Sequence, residues 1–261
     1  MNTSTHLWYL EDGRRLEGVA EVLEIRNSES AMEIVLDGTP FYPRGGGQPA
    51  DTGSMVSSDG RVTVLDARFH DGIVLHRAVV AAGEIRPGDR VIASVDAATR
   101  LNHSRLHTAG ELLCAAVRIL GYHHWSVVGA IHGVHRASVE YNTGLPEPER
   151  VDFASALEAT VNGLVEVGGP VVIQTTSDIR VVERLCGFVP DYLAPGIPVR
   201  VVKVAGDRGR PCMGTHICDI HEVGRFQVRK IKVAKGRTII AYVLDEWLGS
   251  PEATVAPKAA L

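Results

Sequence analysis

Residues 96–121 read DAATRLNHSRLHTAGELLCAAVRILG, and this stretch decides the organisation of the 261-residue chain. A helix-capping residue lies within Asp96–Thr99 at its start, and Gly121 at its end is a residue type that commonly terminates helices. In between, apolar and small residues recur mostly at intervals of three and four, the spacing of one helix face. They are Leu101, Leu106, Ala109, Leu113, Ala116, Val117 and Leu120. The pattern predicts a long helix over about residues 98–120.

The chain before this helix is typical of β-structure. Apolar runs alternate with turn signals, at 16–26, 31–37, 61–69, 72–80 and 89–96. Asp-Gly pairs occur at 12–13, 37–38, 59–60 and 71–72. Asp-Gly supplies the positive-φ residues that tight hairpin turns need. The sequence therefore predicts an antiparallel, β-barrel-like domain over residues 1–97 that carries a glycine-rich motif.

The chain after residue 97 alternates helical and strand patterns. Predicted strands lie at 125–131, 136–142, 170–176, 198–205, 225–234 and 237–245, and further helices lie near 152–166 and 178–186. These runs predict a second domain at residues 98–247, with a mixed or antiparallel sheet and the long helix. Residues 248–261 are rich in Ala and Pro and are expected to form a loose tail. The predicted fold class is α+β.

Composition narrows the class of protein. With 45% hydrophobic and 22% charged residues, the chain is neither a disordered nor a fibrous protein. The N-terminal residues lack the pattern of a signal peptide, and no run of about 18 apolar residues is present. Four cysteines are too few for a secreted disulfide framework in a chain of this length. We therefore expect a cytoplasmic protein without a membrane partner.

The charge of the chain is unevenly distributed. The net charge is −4, yet residues 200–237 contain ten Lys or Arg against three Asp or Glu. A segregated basic segment of this kind suits contact with phosphates. A solvated strand surface would give the same pattern, so the charge alone does not establish a nucleic-acid partner.

Four potential metal ligands follow one another along the predicted helix. His103, His107, Glu111 and Cys114 are spaced by four, four and three, so they share one face. Imidazole followed four residues later by imidazole or carboxylate is a common helical zinc arrangement. Two hydrogen-bonded histidines and a surface glutamate would fit the same spacing.

A second group of potential ligands lies about a hundred residues later. The segment PCMGTHICDIHEVGRF at 211–226 places Cys212 and His216 at C-x-x-x-H spacing in a glycine-containing bend. One thiolate and one imidazole from this segment, with two ligands from the helix, would complete a tetrahedral site.

Three ordered motifs together resemble one protein family. They are FYPRGGGQPADTG at 41–53, RLNHSRLHTAGELL at 100–113 and CMGTHICDIHEVG at 212–224. In this order they resemble the AlaX-type free-standing alanyl-tRNA editing proteins of the medium-length class, which are related to the editing domain of alanyl-tRNA synthetase. The resemblance covers roughly residues 5–245.

The resemblance implies a zinc site with one departure from the family pattern. In the family register, the ligands fall on His107, Glu111, Cys212 and His216, but the pattern has a histidine where this chain has Glu111. Glutamate binds zinc through oxygen, so this set is our first expectation. One rival set uses His103 with His107, and in another alternative the metal binds weakly or not at all.

The resemblance also implies substrate-binding residues. The glycine-rich loop is expected to lie against the editing pocket, and a pocket hydroxyl is expected near the start of a strand. The residues concerned are Gly45, Gly46, Gly47, Gln48, Asp51 and Ser126. The three glycines would equally suit a tight β-turn, and Ser126 could be an ordinary strand serine.

The implied activity is hydrolysis of the ester between an amino acid and the terminal ribose of a mischarged tRNA, with serine or glycine on alanine tRNA as expected substrates. The zinc would either make water a stronger nucleophile or orient the substrate. His221 and Asp219, just beyond His216, are candidates for proton transfer. His221 could also serve as a fifth ligand or be an exposed loop histidine.

Two alternatives remain open at this point. Threonyl-tRNA editing domains use similar ligand motifs, so a deacylase for threonine or a threonine analogue is one. The other is a catalytically degenerate module that keeps the fold and the basic segment but only binds tRNA. The sequence indicates no obligate protein partner.

Overall fold

The computed structural model describes residues 4–27, 32–189 and 197–245, and it confirms the α+β class. In chain order, the elements are β1 (His6–Leu7), α1 (Trp8–Glu11), β2 (Glu17–Asn27), β3 (Met32–Leu36), β4 (Gly38–Thr39), β5 (Gly53–Val56), β6 (Gly60–His70), β7 (Ile73–Gly83), β8 (Arg90–Val95), α2 (Ala97–Ile119), β9 (Val127–Gly133), β10 (Arg136–Tyr141), α3 (Arg150–Val167), β11 (Val172–Thr176), α4 (Ile179–Cys186), β12 (Val199–Lys203), β13 (Arg210–Pro211), β14 (Phe226–Ala234) and β15 (Arg237–Leu244). The predicted tail at 248–261 lies outside the described residues.

The N-terminal strands close into a six-stranded antiparallel barrel in the order β2-β3-β7-β6-β5-β8. Two of the Asp-Gly pairs form hairpin turns of the barrel. Asp59–Gly60 joins β5 to β6, and Asp71–Gly72 joins β6 to β7, with Asp71 and Gly72 each at positive φ. Alternate side chains of the strands fill the interior, among them Ile34, Met55 and Val64. Closure leaves the sheet without open edges, as the barrel-like prediction required.

Helix α2 lies one residue earlier at each end than the predicted span. The Asp96 carboxylate accepts a hydrogen bond from the Thr99 amide, which satisfies one of the free N–H groups at the helix start. The first half of the helix buries polar side chains, whereas the second half, from Leu112 to Val117, is apolar. The second half therefore belongs to a hydrophobic core, and the first half needs polar partners.

That core lies between α2, α3 and a four-stranded antiparallel sheet in the order β14-β15-β10-β9. Leu112, Leu157, Tyr141 and Phe226 are among its fully buried side chains. A smaller sheet, β11-β12-β13, packs against α4. The division into domains at residue 97 stays a prediction, although the barrel and the second half each have a core of their own.

The polar start of α2 is joined to the glycine-rich segment by a buried ion pair. Arg100 donates through Nε to both oxygens of Asp51, at 3.1 and 3.0 Å, and through its other nitrogens to the carbonyls of Gly13 and Pro40. The Asp51 side chain is fully buried. This pair fixes the helix relative to the barrel.

The basic segment does not form a single surface. Arg200 is buried and Arg210 pairs with Glu111, whereas Arg229, Lys230 and Lys232 are exposed on β14. Because β14 is an edge of its sheet, these cations also discourage pairing with another strand.

Within the described ranges, none of the helices is both long and apolar enough to span a bilayer.

Candidate metal centre

Three side chains from two distant parts of the chain bring their donor atoms together. Cys212 Sγ lies 3.4 Å from His107 Nε2 and 3.3 Å from His216 Nε2. Among the described residues, these three form a group whose donor atoms all lie within 4.8 Å of one another. Two imidazole nitrogens and one sulfur at such distances suit a divalent cation with a preference for N and S ligands.

The tautomer of His107 is fixed by Gln48. The Gln48 side-chain oxygen accepts from His107 Nδ1 at 2.8 Å and from the Thr215 amide at 3.0 Å, while its nitrogen donates to the Thr215 hydroxyl. The proton of His107 is therefore on Nδ1. Its Nε2 keeps a lone pair directed at the Cys212 sulfur, as a metal ligand requires.

The tautomer of His216 is fixed in the same way by Thr108. The Thr108 hydroxyl donates to the Ser104 carbonyl, so it accepts from His216 Nδ1 at 3.1 Å. His216 Nε2 thus also presents a lone pair to the sulfur. Each imidazole is thus held through Nδ1 by a side chain outside the group of three, which is typical of histidines that bind metals, and Gln48, expected at the substrate, here orients His107.

The bend after Pro211 is held by Arg200 and by a close backbone approach. Arg200 Nη1 donates to the carbonyls of Cys212 and Gly214, at 2.7 and 2.9 Å. A Cβ on Gly214 would lie 2.1 Å from the His107 ring. Only glycine lets this bend pack on the helix face, so the glycine in the C-x-G-T-H motif has a steric reason.

Burial controls the protonation of the three candidate ligands. Burial lowers the pKa of His107 and of His216 well below the usual value for histidine, and it raises the pKa of the Cys212 thiol to about 12. Neutral imidazoles are ready ligands, whereas the thiol must lose its proton when a cation binds.

Glu111 is not part of this close group. Its carboxylate pairs with Arg210 Nε at 3.0 Å, although both residues line the same pocket as His107 and Cys212. Burial raises the pKa of Glu111, and the Arg210 guanidinium opposes this shift. The alternative ligand His103 is buried one helical turn away and is also outside the group within the described residues.

Two of the three candidate ligands, His107 and Cys212, line an open pocket of about 650 Å³, which we call the metal pocket. Its wall includes Gly45, Gly46, His107, Glu111, His132, Arg210 and Cys212, together with aromatic side chains. A concave, largely apolar pocket of this size with a few polar groups is typical of a small-ligand site.

The glycine-rich segment forms one side of this pocket. The amides and carbonyls of Gly45 and Gln48 bond to each other, and Gly46 and Gly47 between them have φ of 53° and 83°. A Cβ on Gly47 would lie 2.4 Å from the Ala130 carbonyl oxygen of β9. The segment therefore forms a tight turn, and Gly45 and Gly46 also expose backbone atoms to the pocket.

Several predicted site residues are placed elsewhere. Asp51 is buried against Arg100, and Ser126 is an exposed residue before β9 that pairs with Asn142. Asp219 caps the short 3₁₀ helix Ile220–Val223, and His221 contacts Asp219 and the Glu166 carbonyl at the end of α3. None of these four residues lines the metal pocket.

The sequence reasoning missed His132. Its ring stacks on His107 with centroids 4.3 Å apart, and its Nδ1 donates to the Tyr242 hydroxyl, which in turn donates to the Leu106 carbonyl. His132 Nε2 is therefore an acceptor in the pocket wall. Burial lowers the pKa of His132 to about 4. His132 lies one residue beyond the predicted strand at 125–131 and inside the observed β9, so the sequence pattern gave it no role.

Comparisons with known proteins match this chain to one segment of alanine–tRNA ligases. A family model described as tRNA synthetases class II (A) matches residues 13–99. Alanine–tRNA ligase of Methanopyrus kandleri is 33% identical over 230 residues, 86% of this chain and 24% of the ligase. The ligase of Methanothrix thermoacetophila is 36% identical over 220 residues, 82% and 23% of the two chains.

A eukaryotic relative matches similarly. The chloroplastic/mitochondrial alanine–tRNA ligase of Micromonas pusilla is 33% identical over 204 residues, 76% of this chain and 22% of the ligase. The chain thus spans about a quarter of the length of these curated relatives. The relationship to alanyl-tRNA synthetase that the three motifs indicated is confirmed.

Proposed function

This chain is a relative of one segment of alanine–tRNA ligase, and from that premise we propose that it is a zinc-dependent hydrolase that removes a wrongly attached amino acid from tRNA. The supporting observation is the convergence of His107, Cys212 and His216, with both Nε2 lone pairs directed at the sulfur, beside an open pocket that His107 and Cys212 line. The proposed substrates are seryl- and glycyl-tRNA for alanine.

Zinc is the proposed metal because the residues fit it. Two imidazoles and one thiolate are common zinc ligands, and a site with three protein ligands leaves a position open for chemistry. When bound there, zinc would act as a Lewis acid toward the ester and increase the acidity of water.

The chain's own residues would position the reactants. Gln48 and Thr108 hold the two imidazoles in the ligand tautomer, and His132 offers an acceptor from the wall. The Glu111 carboxylate is complementary to the α-ammonium group that an aminoacyl ester carries, and Arg210 keeps that carboxylate in place.

The proposed substrate class has a physical rationale. A pocket that selects alanine gains only about 1–3 kcal/mol from one methyl or hydroxyl group, so errors with glycine and serine are expected and a second hydrolytic site is useful. The exposed cations Arg229, Lys230 and Lys232 on β14 are proposed phosphate contacts for the tRNA.

The test is incubation of the zinc-loaded protein with alanine tRNA charged separately with serine, glycine and alanine, and with threonyl-tRNA. We expect release of serine and glycine with the alanyl ester largely intact. Release of threonine alone would favour the threonine-specific alternative. If none of the four esters is cleaved faster than in buffer, the hydrolase proposal is wrong and a tRNA-binding module takes its place.

The Glu111→Gln variant separates a substrate contact from a metal ligand. Because the amide keeps the shape of the side chain beside Arg210, we expect about one equivalent of zinc to remain bound, while hydrolysis falls about 10-fold through loss of the charged contact. Zinc content and kcat/KM are the measurements. Loss of zinc would instead make Glu111 the fourth ligand, and loss of zinc in His103→Ala would support the rival helix pair.

A further inference from the structure

Both exposed phenylalanines of this chain lie at the metal pocket. Of the five phenylalanines, Phe41, Phe153 and Phe226 are buried in the two cores. Phe69 and Phe188 are 53% and 46% exposed, and each lines the metal pocket. Single exposed apolar residues are ordinary, but two large aromatic rings on one pocket indicate a surface that a ligand covers.

The two rings come from separate parts of the fold. Phe69 lies near the end of β6 in the barrel, and Phe188 follows Gly187, which ends α4 at φ 75°. Met213, half exposed, adds an apolar side chain from the ligand bend between Cys212 and Gly214. Apolar side chains from three parts of the fold therefore line the pocket that also contains His107 and Cys212.

Cationic groups accompany the rings. Arg44 and Arg210 also line the pocket; Arg44 pairs with Asp66 but keeps half of its side chain exposed. Aromatic rings beside guanidinium groups suit single-stranded nucleic acid, because bases stack on rings and phosphates pair with cations. A purely aliphatic ligand would gain nothing from the arginines.

We infer that Phe69 and Phe188 form the stacking surface for the unpaired base at the 3′ end of the RNA. This inference rests on the proposed function: the ester to be cleaved is on the terminal ribose, so the terminal base must lie within one sugar of the candidate metal ligands. The two rings line the same pocket as His107 and Cys212, which satisfies that requirement.

The test uses a short RNA hairpin with an unpaired 3′ end, carrying either a terminal adenosine or an abasic terminal residue, and no amino acid. We expect the wild-type protein to bind the adenosine form roughly 10-fold more tightly, and Phe69→Ala and Phe188→Ala each to reduce this preference severalfold. Phe188→Trp should keep the preference, and quenching of its fluorescence by the adenosine hairpin alone would report the stacking directly.

Matched controls remove exposed apolar side chains outside the pocket. Val80→Ala on the barrel and Ile119→Ala at the end of α2 should keep the full preference, since both residues are exposed but neither lines the metal pocket. The inference is overturned if the wild type does not distinguish the two hairpins, or if both phenylalanine variants keep the preference. A protein that shows the preference but cleaves no aminoacyl ester would refute the hydrolase and support the stacking surface.

Discussion

Replacing Cys212 with alanine is expected to abolish zinc binding and to lower ester hydrolysis by about 1000-fold, since a Lewis-acidic metal is worth several kcal/mol of transition-state stabilisation. The Cys212 sulfur lies 3.4 and 3.3 Å from the two Nε2 atoms, so its loss removes the centre of the group. Zinc content and single-turnover release of serine from mischarged tRNA are the measurements.

Cys218→Ala is the matched control for this experiment. Cys218 is exposed six residues further along and has no part in the group of donor atoms, so zinc content and rate should match the wild type. Thermal unfolding of the zinc-free forms should show that Cys212→Ala is folded. A Cys212→Ala protein with wild-type turnover would remove the metal centre from the mechanism.

The Asp51→Asn variant is expected to lose about 3–5 kcal/mol of folding free energy, because it leaves Arg100 as an uncompensated buried charge. Both side chains are almost wholly buried, and Asp51 also accepts from the Tyr42 amide at 2.6 Å. The variant should therefore loosen the glycine-rich segment as well as the start of α2. Chemical denaturation measures the free energy of unfolding.

Glu24→Gln provides the control for this variant, since it breaks an exposed ion pair with Arg26 on β2 and should leave stability unchanged. If Asp51→Asn is as stable as the wild type, the buried pair does not hold the helix to the barrel. A loss of turnover without a loss of stability would instead indicate that Asp51 acts on the substrate through the glycine-rich segment, since its own side chain is fully buried.

The local structure of this chain could be predicted because its signals are local. The cap at Asp96, the apolar spacing of α2 and the Asp-Gly hairpins each depend on a few neighbouring residues, and the structure follows them closely. Closure of the barrel was harder to predict than these local elements. It depends on β5, a four-residue strand without a strong pattern, pairing with β8 across nearly forty residues of sequence.

The metal centre could be predicted from the sequence only in part, for a similar reason. Spacing predicted which faces of α2 and of the later bend could present ligands, and the structure brings His107, Cys212 and His216 together. Spacing gave no information on Arg210, whose pairing with Glu111 is set by β13, or on His132, whose place beside His107 is set by packing. Such contacts join residues distant in sequence, so no local pattern predicts them.

In the proposed mechanism, a metal held by His107, Cys212 and His216 makes ester hydrolysis possible. The direct measurement is release of serine from mischarged alanine tRNA by the chelator-treated protein, before and after addition of one equivalent of zinc. We predict near-background release without zinc and restored release with it. Equal hydrolysis in both samples, or none in either, would contradict a zinc-dependent hydrolase.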